Sequence, residues 1–221
     1  MRGSEQGHQA EQRERLEVAV RMIRHEARTC TIKACTGLSD DRIRRLYATH
    51  FKDDPNVRRQ RGKSPSRTRV FVKNAMYQCE AGTLVAVFAA FDIIQLAASG
   101  RVLNLLESSP LLLGRRLCLA YETYLELHAH AVRHLSFERA WSLLRALISG
   151  DELVLMACRE CQGLYVHHLL EVDPGRCACC KLTGRAPLRQ RATSIDFEAR
   201  RAVAASLEHA VADAPLRRAP R

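Results

Sequence analysis

Two Cys-x-x-Cys pairs, Cys158–Cys161 and Cys177–Cys180, are separated by 15 residues. Five of the nine cysteines fall between residues 158 and 180. Each pair turns two sulfurs toward one point, and the intervening loop brings the pairs together. This spacing predicts a four-cysteine zinc site. Four thiolates close the coordination sphere and leave no position for an activated water, so the expected role is structural. Iron–sulfur ligation is the alternative for four cysteines, although its usual spacings differ. A redox Cys-x-x-Cys would want a βαβ setting, which the sequence does not show.

Cys179 is a spare thiol within the second pair. It would replace Cys180 only through a Cys-x-Cys knuckle, which turns less well. His167 and His168 are further nitrogen donors that four cysteines make unnecessary. Gly163, just past the first pair, suits a tight turn that aims backbone N–H groups at sulfur. LYVHHLLEV between the pairs alternates as a short hairpin would. So small a module needs a staple to fold.

The elements that must carry this module read as helices. Aromatic residues make up 5% of the chain, and the apolar residues are mostly Leu, Ala and Val. That balance favours helix over sheet. The fold class expected is mainly α: a helical body with a small C-terminal zinc-binding module. Residues 1–11 are polar and expected to be disordered. Residues 12–150 form the helical domain, 151–190 the zinc module, and 191–221 a basic C-terminal extension. A terminal helix is expected over 196–214, before a mobile end.

Within the helical domain, Leu16, Val20, Ile23 and Ala27 recur at helical spacing. Over residues 28–51, a helix, a Gly37 break and a second helix capped by Ser39 read as a helix-turn-helix. Asp40 and Asp41 occupy the first turn of that second helix. Ile43, Leu46 and Tyr47 give its buried stripe, and Arg42, Arg44 and Arg45 lie elsewhere on its circumference. Residues 52–69 form a basic loop broken by Pro55, Gly62 and Pro65. Residues 70–150 look helical almost throughout. Leu84, Val87, Phe88, Phe91, Ile94 and Ala98 make one stripe ending near Gly100. Ser136 and Gly150 bound another helix. Cys30, Cys35, Cys79 and Cys118 sit in apolar patterns as small buried hydrophobes. His128, His130 and His134 lack the Glu of a metalloprotease helix and read as ordinary histidines.

Lys and Arg number 35 against 24 acidic residues, a net charge of +11. Such a surface favours a polyanionic partner, nucleic acid first. The candidate phosphate contacts are Arg42, Arg44 and Arg45 on the second helix, Arg58, Arg59, Arg61, Lys63 and Arg67 in the loop, and Arg185, Arg189 and Arg191 after the zinc module. No acid–base pair or open metal position points to an enzyme. The longest apolar stretch, residues 84–99, is shorter than the roughly 20 residues of a membrane span. The N-terminus has no apolar signal core, so a cytoplasmic location is expected. Thiols there stay reduced, which argues against a disulfide framework.

Three stretches resemble the FlhC family, subunits of the bacterial flagellar master transcriptional activator. They are GLSDDRIRRLY at 37–47, RAWSLLRALISGDELVLMACREC at 139–161, and the rest of the cysteine module through CKLTGRAP. GKSPSRTRVF at 62–71 matches more loosely. The resemblance implies a largely helical protein with one zinc ion held by Cys158, Cys161, Cys177 and Cys180. It further implies assembly with an FlhD-type subunit into a heterohexamer, binding to promoter DNA of flagellar genes, and recruitment of RNA polymerase. The chain departs from the family pattern at the cysteines, in the length of the loop between the pairs and at residue 70. The spare cysteine is Cys179, with Glu160 inside the first knuckle, and Val70 stands where relatives carry tryptophan. The alternative reading is a non-enzymatic, zinc-stapled adaptor that binds protein without touching DNA.

Overall fold

The computed structural model describes residues 2–60, 62, 65–96, 102–105, 109–129, 131, 135–172 and 175–183. The terminal helix expected over 196–214 lies outside the described residues. The described part is mainly helical, as expected. Helix α1 spans Arg2–Arg24 and so begins ten residues before Gln12. Residues 2–11, expected to be disordered, extend it. Hydrophobic periodicity is blind to this turn because Gly7–Arg13 face solvent. The Glu11–Arg15 pair at helical spacing, 2.7 Å, supports it instead.

Val18, Ala19, Met22 and Ile23 seat α1 on the core. Helix α2 (Thr29–Thr36) ends at Gly37, whose φ of +68° is a left-handed conformation that glycine adopts without a Cβ penalty. Helix α3 (Asp40–His50) follows after three residues. The Ser39 side chain accepts from the Arg42 N–H at 3.3 Å, and Asp40 and Asp41 complement the helix dipole. Ile43 and Leu46 are buried and Tyr47 is half-buried. The helix–turn–helix arrangement is therefore present, and α1 packs against both of its helices.

The basic loop is anchored rather than free. Phe51 and Val57 are buried, and the Tyr47 hydroxyl donates to the Val57 carbonyl at 3.1 Å. Glu26 accepts from the Arg58 N–H at 2.9 Å and from Gln60 Nε2 at 2.8 Å. Further on, the Pro65 carbonyl accepts from the Ser142 hydroxyl at 2.8 Å. A 3-10 turn at Thr68–Val72 then leads into α4 (Ala75–Ala90).

Helix α4 sits at the centre of the body, against α5 (Pro110–Leu127) and α6 (Phe137–Ser149). It stops at Ala90, short of the expected stripe through Ala98. Asp92 turns left-handed at φ +53°. Ile93 and Ile94 then enter the core side by side, and β1 (Ile94–Leu96) pairs antiparallel with β2 (Val102–Leu105). A hydrophobic run of this length satisfies helix and strand alike, and only a strand partner decides between them.

Helix α5 is capped by Ser109 with Pro110 at its first position, a preorganised start. Helix α6 runs from the Ser136 cap to Gly150, as the sequence predicts. Polar clamps join these helices. Glu122 on α5 is held by the Arg21 guanidinium in a two-pronged pair and by His25 Nε2 at 2.8 Å. Buried Glu80 on α4 accepts from the Tyr124 hydroxyl at 2.8 Å and the Leu135 N–H at 3.0 Å.

The last elements are β3 (Leu153–Ala157), β4 (Leu164–His168) and α7 (Ala178–Thr183). Leu153 pairs with His168 and Ala157 with Leu164. The expected hairpin exists, but its first strand precedes the cysteine pairs rather than lying between them. Leu153, Leu155 and Val166 belong to the main core, and Gln78 Nε2 of α4 donates to the Val166 carbonyl at 2.7 Å. The cysteine module is thus built onto the body and is not a separate appendage.

Candidate metal centre

Strand β3 delivers Cys158 at its end, where the chain reverses. The Gln162 N–H donates to the Cys158 carbonyl at 2.9 Å, and the Cys158 N–H to the Gly163 carbonyl at 3.0 Å. Gln162 takes a left-handed φ of +58° inside this knuckle. The Gly163 N–H then faces Cys161 Sγ at 3.4 Å, the role the sequence assigns to it. The chain leaves along β4 and returns through Gly175, whose carbonyl accepts from the Arg159 N–H at 2.9 Å. Gly175 has φ +62°, a left-handed conformation that favours glycine, while the Arg159 side chain that a Cβ there would meet is flexible and can move aside.

The second pair starts at Cys177, whose N–H faces Cys158 Sγ at 3.3 Å. The Cys180 N–H, in the first turn of α7, faces Cys177 Sγ at 3.4 Å. The sulfurs of Cys158, Cys161, Cys177 and Cys180 all lie within 4.8 Å of one another. Cys158 and Cys180 are 3.9 Å apart, and Cys161 and Cys177 are 3.7 Å apart. A tetrahedral ion with ~2.3 Å metal–sulfur bonds spaces its ligands by ~3.8 Å. The donor set therefore fits one four-coordinate metal ion. A multi-iron cluster would hold its cysteines wider, since each binds a different iron. Cys158, Cys177 and Cys180 are buried, with Tyr165 and Met156 packed beside them, while Cys161 is exposed.

The four thiols are not alike in acidity. Burial works against ionising Cys158, but the backbone N–H groups of Cys161, Cys177 and Glu160 outweigh it and lower its pKa to about 6. Cys161 and Cys180 are pushed the other way, first by burial and then by neighbouring sulfurs. Four thiolates this close repel one another unless a cation sits among them. The four gathered sulfurs could hold such an ion.

The remaining donors stay outside this group. His167 and His168 are buried on β4, and His168 Nδ1 accepts from the Leu170 N–H at 3.2 Å. Cys179 is exposed on α7. Among the other cysteines, Cys35 and Cys118 are buried as expected, but Cys30 is exposed and Cys79 half-buried. Cys79 Sγ lies 3.3 Å from Cys179 Sγ, a proximity without a signal in the sequence, because the two are 100 positions apart. His128 Nε2 lies 3.0 Å from the Thr83 hydroxyl, an ordinary polar contact.

The basic candidates fall in separate places. Arg42, Arg44 and Arg45 are exposed on α3, where Arg44 pairs with Asp41. Arg58, Arg59 and Arg67 are exposed. Arg59 joins Arg28, Lys33 and Asp40 around a cavity of about 400 Å³, so the start of the loop and α2 share one concavity, in which Lys33 pairs with Asp40 at 3.2 Å. The sequence carries no signal of this cavity, because the Glu26 corner that brings the loop to α2 is a tertiary feature. Arg61, Lys63, Arg185, Arg189 and Arg191 lie outside the described residues. Among the described residues, no helix is long and apolar enough to cross a membrane.

No curated protein matches the chain in sequence. The profile of the family described as Flagellar transcriptional activator (FlhC) matches residues 8–193, which takes in the helix–turn–helix, the central helices and all four gathered cysteines. The chain belongs to the FlhC family of flagellar transcriptional activators.

Proposed function

We propose that this protein is the DNA-binding, non-enzymatic subunit of a cytoplasmic activator complex that switches on flagellar operons. The family match carries this reading. One structural zinc ion occupies the four-cysteine centre and locks the knuckle after β3 to the start of α7. Cys158, Cys161, Cys177 and Cys180 are its ligands. With the coordination sphere closed by sulfur, the ion supplies rigidity and no chemistry.

In this reading the positive charge is used on promoter DNA. Arg42, Arg44 and Arg45 approach it from α3. Arg58, Arg59, Arg61, Lys63 and Arg67 grip phosphates from the loop, and Arg185, Arg189 and Arg191 do so beside the metal module. Phosphate contacts of this kind position a protein without reading sequence. The exposure of Leu169 (50%), Leu170 (79%) and Val172 (94%) just past β4 supports a protein contact there. An FlhD-type subunit and RNA polymerase are the proposed protein partners.

The test is a salt titration of binding to a flagellar promoter fragment by the chain co-expressed with an FlhD-type partner. Affinity should fall with salt at a slope near −0.9 per phosphate neutralised. It should collapse when the metal is stripped. An intact, metal-loaded complex without specific promoter binding would overturn DNA recognition and leave the protein-only adaptor.

A further inference from the structure

The four gathered sulfurs leave one unusual thiol contact unexplained. Cys79 on α4 and Cys179 on α7 are 100 positions apart, yet their Sγ atoms lie 3.3 Å from each other. Helices α4 and α7 pack together, so the approach is set by tertiary packing and not by a flexible tail. Neither residue belongs to the four-sulfur group. Cys179 is exposed and Cys79 half-buried, so a small oxidant reaches the pair from the Cys179 side. A disulfide needs a sulfur separation of ~2.05 Å, so the two atoms must close by only about 1.2 Å. Disulfides that form in reducing compartments are usually transient and catalytic or redox-sensing.

We propose that Cys79 and Cys179 form a reversible redox dithiol, oxidised to a disulfide by low-molecular-weight disulfides such as oxidised glutathione. The Cys179 sulfur attacks one sulfur of oxidised glutathione. That S–S bond breaks, one glutathione leaves as its thiol, and Cys179 carries the other as a mixed disulfide. The Cys79 sulfur then attacks Cys179 and expels the second glutathione. Two protein thiols are oxidised, one glutathione disulfide is reduced, and the two protons end on the two glutathione thiols. The new bond ties α7, which carries Cys180 and follows Cys177, to the central helix α4. Oxidation thereby clamps the metal module to the body without consuming a metal ligand.

The test uses the full chain loaded with zinc and treated with oxidised glutathione. Thiols are counted by alkylation, bound zinc is measured, and linked peptides are mapped by mass spectrometry. The expected result is two fewer alkylatable thiols, undiminished zinc, and a link between the Cys79 peptide and the 177–181 peptide. A thiol reductant should reverse it. Cys179→Ser should abolish that link, and Cys79→Ser should trap a glutathione adduct on Cys179. A link from Cys79 that persists in Cys179→Ser, zinc release accompanying oxidation, or no link in the wild-type protein would each overturn the proposal. Fragment-ion sequencing of the linked 177–181 peptide from the wild-type protein assigns the sulfur among Cys177, Cys179 and Cys180, so the question is decided even if a variant folds poorly.

Discussion

Replacing Cys161 by Ser tests the metal centre most cleanly. Cys161 is the exposed member of the four, so its loss leaves the packing around Cys158, Tyr165, Cys177 and Cys180 in place. The sulfur separations of 3.7 Å and 3.9 Å, divided by the ~1.63 ratio of edge to centre distance in a tetrahedron, give a metal–sulfur distance of ~2.3 Å. X-ray absorption of the metal-loaded protein should therefore show four sulfur neighbours at ~2.3 Å and one ion per chain. Cys161→Ser should show three sulfurs and one lighter atom. Loss of an outer-sphere hydrogen bond at such a centre weakens metal binding about 10–100-fold, and loss of a direct ligand should exceed that. Competition with a chelator measures the affinity. Cys179→Ser, one residue from Cys180, should leave both the sulfur number and the affinity unchanged. Four sulfurs in Cys161→Ser together with three in Cys179→Ser would refute the assignment, because Cys179 would then be the ligand.

Two further predictions concern the scaffold. Burial works against the charge on Glu122, but His25 and Arg21 outweigh it and hold its pKa down to about 2, against an ordinary 4.5. A depressed carboxyl stabilises the fold above about pH 5 and loses that contribution as pH falls toward 2. At ~1.36 kcal/mol per pKa unit, discounted for solvent screening, the contribution is about 2 kcal/mol. Urea unfolding at pH 6 and pH 3, which captures most of that loss, should show about 1.5 kcal/mol less acid sensitivity in Glu122→Gln than in wild type, and equal sensitivity would refute the clamp. In α5, a Cβ on Gly114 would meet Cys35 Cβ at 2.8 Å and Val18 Cγ1 at 3.2 Å. Gly114→Ala should destabilise by about 1–2 kcal/mol despite better helix propensity, because α5 must move off α1 and α2. A gain in stability on urea unfolding would show that the contact yields.

The cysteine spacing, the serine caps at Ser39, Ser109 and Ser136, and the glycine stops at Gly37 and Gly150 are local devices. The caps and stops act on backbone within a few residues, and each Cys-x-x-Cys pair fixes its own knuckle, so the helix–turn–helix, the bounds of α6 and the identity of the four sulfurs were legible in the sequence. Only the tertiary structure decided what depends on a distant partner. The run through Ile94 turned to strand because β2 pairs with it. The cysteine module joined the body because Gln78 reaches Val166 from α4. The basic loop found α2 through Glu26, and Cys79 found Cys179 across 100 positions. Hydrophobic patterning records that a residue is buried but not which neighbour buries it. Contacts between remote segments therefore emerge only once the chain has packed.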